Sequence, residues 1–195
     1  MKRIIKVLLG LFLLLYGSAC SKGDKLSPEE LEHQRFAKYY VKFKVDGKQE
    51  EYKYLDEGQL GVAITTVADK NGNYGLMGWG YKTKELTNRN AVSWLIGHSA
   101  PVSANKVYGA PNSTVAGAIK APVFWLSYQD NAGDSYVASI FDLLPGPYDA
   151  KVTLTHISDT EVKGSFSATL HNIKDGAIVK TVKLTDGEFF VPANY

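Results

Sequence analysis

The stretch Val41-Lys42-Phe43-Lys44-Val45-Asp46-Gly47-Lys48 decides the fold class. Val41, Phe43 and Val45 alternate with Lys42 and Lys44, the period-two pattern of a strand with one buried face, and Asp46-Gly47 is a turn dipeptide of hairpins. Tyr52 and Tyr54 continue the pattern on a return strand. The same grammar recurs toward the C-terminus. Gly61 to Ala68 and Tyr74 to Lys82 flank Asp69-Lys70-Asn71-Gly72-Asn73, while Val123 to Tyr128 and Tyr136 to Leu144 flank the turn cluster at Gln129 to Asp134. Val152 to Ile157 and Val162 to Leu170 meet across Ser158-Asp159-Thr160, and Ile178 to Leu184 follows Lys174-Asp175-Gly176. Ala91 to His98 reads as a further strand, and Ser99 to Ala121 as a long connection with one short strand near Val107.

Short strands between turn clusters predict an all-β domain, an antiparallel β-sandwich or a partly closed barrel, over residues 39–195. Pairing the hairpin around Asp159 puts Val152, Leu154 and His156 on one inward face with Val162, Gly164 and Phe166. Ahead of the domain, Ser27-Pro28-Glu29-Glu30 reads as N-cap, proline at the first helical position and a glutamate that closes a capping box. With Leu31 and Phe36 as its only large apolar residues, this short helix of the tether is expected to be exposed or frayed.

The composition, 45% hydrophobic with 12% aromatic residues, is globular. Three cations, Lys2, Arg3 and Lys6, lie in the first six residues, and an almost unbroken apolar run from Val7 to Tyr16 follows, then Gly17-Ser18-Ala19. This is the layout of an export signal over residues 1–19, too short to span a bilayer comfortably. Removing those three cations from 22 leaves 19 against 20 anions, so a strongly basic nucleic-acid binder is not expected.

Cys20, the single cysteine, stands directly after Gly-Ser-Ala. This resembles the lipobox of bacterial lipoproteins, which implies lipidation (palmitate-type acylation) at Cys20, followed by a tether over residues 20–38. Two or three acyl chains anchor a protein durably where one binds reversibly. Ser21 after the cysteine implies, by the same resemblance, the outer membrane of a cell envelope. Ser21 to Lys25 has a single acid, fewer than the surface-export signals of Bacteroidota lipoproteins, and by the same resemblance this implies the periplasmic face over the cell surface. With no second cysteine, no disulfide can staple the domain.

Phe43-Lys44-Val45-Asp46-Gly47-Lys48, Gly164-Ser165-Phe166 and Asp186-Gly187-Glu188-Phe189 together resemble a group of small all-β Bacteroidota envelope lipoproteins of unknown function. In that group an F-x-x-x-G-K first hairpin, a G-x-F strand and a DGEF last hairpin bracket the domain. Gln49 and Glu50 stand where the group often has tryptophan. The resemblance implies a fold and an address and no activity.

Candidate chemistry is sparse. Gly97-His98-Ser99-Ala100-Pro101 imitates a nucleophile elbow, but Pro101 replaces its last glycine and no helix follows. His33, His98, His156 and His171 never fall at ligand spacing, so neither a metal nor a cofactor is expected. Asp69, Asn71 and Asn73 imitate half a calcium loop, and turn chemistry explains the same residues. Asp130, Asp134, Glu85 and Asp142 could supply a carboxylate pair, with no signature to single one out.

The remaining feature is aromatic. Trp79 and Tyr81, set among Gly78 and Gly80, and Trp125 beside Phe124 either fill a core or form an exposed platform for a ligand. The expected role is therefore non-enzymatic: structural or partner-binding with an envelope protein, or alternatively glycan or small-ligand binding through Trp79, Tyr81 and Trp125, with a hydrolase a distant third. If the three share an exposed concave face the glycan reading gains, and if they are buried it loses its support.

Overall fold

In the computed structural model, residues 27–85, 89–138 and 148–194 are described. Two compact units divide after Gln34. A helix, α1 (Pro28–Phe36), begins at the expected cap: the Ser27 amide donates to Glu30 at 2.7 Å, and the Glu30 amide donates to the Ser27 hydroxyl at 3.2 Å. The Ser27 amide, with its hydroxyl beside it, holds the Glu30 carboxyl below its ordinary pKa. Leu31 is exposed, as expected. Phe36 is not: within the second unit, its ring stacks on Tyr54 at 4.5 Å, which moves the start of the packed domain a few residues ahead of Tyr39. Cys20 and the expected export signal over residues 1–19 lie outside the described residues. Among those described, no helix is long and apolar enough to cross a membrane.

Among the described residues twelve strands follow. They are β1 (Tyr40–Val45), β2 (Lys48–Lys53), β3 (Leu60–Ile64), β4 (Tyr74–Tyr81), β5 (Ala91–His98) and β6 (Lys106–Gly109). Then come β7 (Ile119–Lys120), β8 (Val123–Gln129), β9 (Ser135–Ala138), β10 (Ala150–Ile157), β11 (Glu161–Lys174) and β12 (Ala177–Asn194). Asp46 and Gly47 both have positive φ, 49° and 85°, as the two-residue hairpin between β1 and β2 requires.

The strands form one hydrogen-bonded order, β2-β1-β12-β3-β4-β5-β8-β9-β11-β10-β6-β7, with β11 also paired to β12. That extra pairing closes a ring through β12, β3, β4, β5, β8, β9 and β11, consistent with a sandwich or a partly closed barrel whose two layers stay bonded at two corners. One layer runs β2-β1-β12-β11-β10-β6-β7, and the other β3-β4-β5-β8-β9. They join where Ala193 of β12 meets Val62 of β3, and where His171 of β11 meets Val137 of β9. The sheet is not wholly antiparallel, since β12–β3 and β6–β7 are parallel pairs.

The core lies between the layers. Trp94 of β5, fully buried, meets Phe189 of β12 at 4.5 Å and Phe166 of β11 at 5.8 Å, and Phe43 of β1 meets Tyr128 of β8 at 5.9 Å. Each ring of the central stack faces a glycine across a strand pair: Trp94 faces Gly78, Phe189 faces Gly164 and Phe166 faces Gly187. The inward alternation of Val152 and Leu154 with Val162 and Phe166 is as expected.

Two expectations fail at bulges. Asp186-Gly187 is not a last hairpin. It sits inside the single strand β12, where Leu184 and Gly187 oppose Ala168 and Phe166 and one residue is extra. Asp186 takes φ 51° to accommodate it. A second register shift between Leu154 and His156 turns His156 outward, with its side chain 47% exposed and 4.0 Å from Glu161. The connection Ser99 to Ala121 carries β6 as expected and the short β7 besides. The C-terminal part of the strand expected at Tyr136 to Leu144 lies beyond the described residues.

Candidate functional site

Strands β4, β5 and β8 lie side by side, and their registers set Trp79 opposite Ser93 and Ser93 opposite Ser127. Tyr81 stands opposite Ala91, and Ala91 opposite Gln129. Trp79, Tyr81 and Trp125 therefore share the outer face of this layer, each half-buried. The middle strand carries small side chains at Ala91 and Ser93. A trough of about 210 Å³ forms there, with Tyr81 and Trp125 at its margins and Ser93, Ser127 and Gln129 supplying its polar lining. The Ser93 and Ser127 hydroxyls meet at 2.8 Å.

Trp79 stands apart from this trough. Its indole N–H donates to the Gly58 carbonyl at 2.8 Å, which pins the ring toward the segment after β2. That segment is itself held by Gln59, whose side chain is fully buried. Its amide nitrogen donates to the Tyr81 carbonyl at 2.8 Å, its oxygen accepts from the Leu55 amide at 2.9 Å, and the Tyr81 amide returns a bond to the Gln59 carbonyl at 3.0 Å. Gln59 is a positioning residue for Tyr81 that the sequence reading missed. A glutamine beside a Gly-rich turn carries no pattern of its own. Ser93, Ser127 and Gln129 were missed as well, because only the strand register brings them together.

The outer face of the other layer also has a shallow cleft, about 360 Å³, beside Tyr40 and Phe190. Its rings are already occupied. The Lys163 ammonium lies 4.2 Å from the Phe190 centroid, with Lys38 at 5.2 Å, and Lys42 lies 5.2 Å from that of Tyr40. Lys38 also pairs with Glu161 at 2.6 Å, which lowers the Glu161 pKa, and Lys42 pairs with Glu188 at 2.9 Å. Among the described residues no cation lies over Tyr81 or Trp125.

The other sequence candidates are turn structure. Asp69 accepts from the amides of Asn71 and Asn73 at 2.8 and 2.9 Å, and Asp130 accepts from Ala132 and Asp134 at 2.9 and 3.0 Å. The His98 imidazole Nδ1 accepts from the Ala100 amide at 3.0 Å, closing the bend that imitates a nucleophile elbow. Among the described residues no group of three His, Cys, Asp or Glu side chains is placed to hold a metal ion. Asp142 is outside the described residues.

Set against sequence models of known families, curated proteins and solved structures, the chain matches none.

Proposed function

We propose that this is a non-enzymatic, lipid-anchored envelope protein that works by binding, and that its ligand is a glycan engaged on the outer face of the β3-β4-β5-β8-β9 layer. The observation that carries the reading is the trough between Tyr81 and Trp125, with Ser93, Ser127 and Gln129 in its lining. Aromatic rings free of cations can stack on the apolar C–H face of a pyranose, while hydroxyl and amide groups orient its hydroxyls. At about 210 Å³ the trough is smaller than the roughly 300–1,000 Å³ of sites for drug-sized ligands, which suits one sugar ring. The motifs at Cys20 and at both ends of the domain support the address: a Bacteroidota-type lipoprotein of the outer membrane, facing the periplasm.

Binding is tested by titrating the full chain in detergent with oligosaccharides built from glucose, xylose, mannose and N-acetylglucosamine. Wild type is expected to bind at least one series, and Trp125→Ala or Tyr81→Ala to weaken it tenfold or more. Silence across the panel, or a Trp125→Ala variant that binds like wild type, overturns the reading. The anchor is tested by palmitate labelling of wild type and Cys20→Ala, and equal label on both would sink it.

A further inference from the structure

At the mouth of the sandwich, where the ends of β4, β5 and β8 face the start of β2, lies a second and larger cleft of about 870 Å³. Its volume falls within the range of ligand sites. Lys82, Asn90 and Asp130 line it, and their sequence neighbours Tyr81, Ala91 and Gln129 line the aromatic trough. Within β8 itself Tyr128 lines the mouth and Gln129 the trough, and adjacent residues of a strand project to opposite faces. The two clefts therefore flank one end of the same sheet, separated by a single layer of backbone.

The chemistry of the mouth is polar and nearly neutral. Lys82 is paired with Glu50 at 2.6 Å. The Asp130 carboxylate is occupied by two backbone amides and by the Tyr136 hydroxyl, which donates to it at 3.3 Å. Lys48 apart, what faces the space is therefore mainly neutral hydrogen-bonding capacity. The Asn90 side-chain amide donates to the Asn131 oxygen at 3.0 Å, leaving an acceptor on Asn90 beside donors on Asn131. That pairing of acceptor with donor matches the vicinal hydroxyls of a sugar ring. An anionic ligand would find Lys48 as the one cation of this lining without an ion pair among the described residues.

The wall behind these groups has unspent capacity too. Among the described residues the buried Tyr52 hydroxyl has no hydrogen-bond partner, and it lies beside Tyr128 and Glu50 of the cleft. Tyr128 lines the cleft, and burial pushes its phenol up to about 12, so it is a neutral donor at any physiological pH.

We infer that the mouth cleft is a second subsite, taking further residues of the same neutral glycan whose first ring sits between Tyr81 and Trp125. The inference rests on the glycan reading of the trough and adds direction and length to it. The ligand is a linear oligosaccharide that crosses the end of the β4-β5-β8 sheet, held by stacking on one side and by amide and phenol hydrogen bonds on the other.

Calorimetric titration of the full chain with the mono-, tri- and hexasaccharide of each panel series separates the two claims. Wild type should bind the hexasaccharide at least tenfold more tightly than the monosaccharide. Asn131→Ala and Tyr128→Phe should lose most of that gain while keeping wild-type affinity for the monosaccharide. Tyr128→Phe keeps the buried ring, so its fold is expected to survive. Monosaccharide binding with no gain for the hexasaccharide overturns the second subsite and leaves the trough standing. Hexasaccharide affinity unchanged in both variants overturns it as well, and binding of no sugar at all removes both.

Discussion

Gly164 and Phe189 face each other across β11 and β12, and the phenyl ring fills the volume a side chain at 164 would need: a Cβ placed there falls 2.4 Å from the Phe189 Cζ. Two residues along, the relation inverts, with Phe166 opposite Gly187 and its ring 2.7 Å from a Cβ at 187. The G-x-F of each strand is thus the complement of the other, and Trp94 packs against both rings from the opposite layer.

This interlock predicts that Gly164→Ala is destabilising by about 1–3 kcal/mol or more, the ordinary cost of overpacking a core. Shrinking Phe189 to Leu gives little relief, because the Thr153 carbonyl lies 2.2 Å from the same Cβ. Gly78→Ala differs: all three nearest atoms belong to the Trp94 indole, so Trp94→Phe should recover part of the loss. Urea midpoints of the single and double variants check both statements. Equal rescue at the two sites would contradict the geometry.

Gln59→Leu strips partners from the Leu55 amide and the Tyr81 carbonyl. Both bonds are part-buried, so each orphaned group costs at most roughly 1–3 kcal/mol, and loss of the tether should also weaken sugar binding, since Tyr81 forms one margin of the trough. Gln59→Glu keeps an acceptor for Leu55 and loses the donor to Tyr81. It should also be destabilising, more so as the new carboxyl ionises. Thermal unfolding at pH 5 and pH 8 distinguishes the two.

Trp79→Phe removes one hydrogen bond to Gly58, a loss of about 0.5–1.5 kcal/mol. Ligand affinity should stay at the wild-type value, because this ring stands outside the trough. A tenfold loss of binding in Trp79→Phe would return Trp79 to the site.

Burial lowers the His171 pKa from its ordinary 6.5, so the fold prefers the neutral imidazole, whose Nδ1 lies 3.0 Å from the Thr181 hydroxyl. The unfolded chain takes up its proton near pH 6.5 while the folded one resists. Stability supplied by this group is therefore complete above that pH and falls as pH drops toward the lowered folded value. His171 is also where β11 meets β9, so the corner should loosen on acidification. The protection factors of amides around Val137, that is, exchange corrected for the slower intrinsic rate at low pH, should fall between pH 7.5 and 5.5, and His171→Gln should flatten the difference.

The local parts of this fold are legible in the sequence because turn chemistry is local. Asp46-Gly47 announces its hairpin, and Ala91 to His98 reads out β5 to the residue. Asp186-Gly187 misleads for the same reason: a tight turn and a bulge both ask for positive φ, and only the partners on either side tell them apart. His156 is misplaced by the bulge at Thr155, which shifts side-chain alternation by one. The aromatic face was half legible. That Trp79, Tyr81 and Trp125 share it follows from alternation once β4, β5 and β8 are known to be neighbours. That Tyr81 and Trp125 frame a trough while Trp79 leaves it depends on the small residues of β5 and on the Gly58 carbonyl, neither of which has a signature.

Strand β12, C-terminal to every other strand among the described residues, lies between β1 and β11 and ends against β3. The layer that holds β12 cannot close around a gap in its middle. A ribosome or an export channel that passes the chain from its N-terminus must release residues 177–194 before the sandwich can form, so everything upstream travels without its central partner. Late closure keeps such a chain threadable for as long as it is in transit. It also leaves the facing edges of β1 and β11 unpaired during that interval, which is when a holding chaperone would matter most.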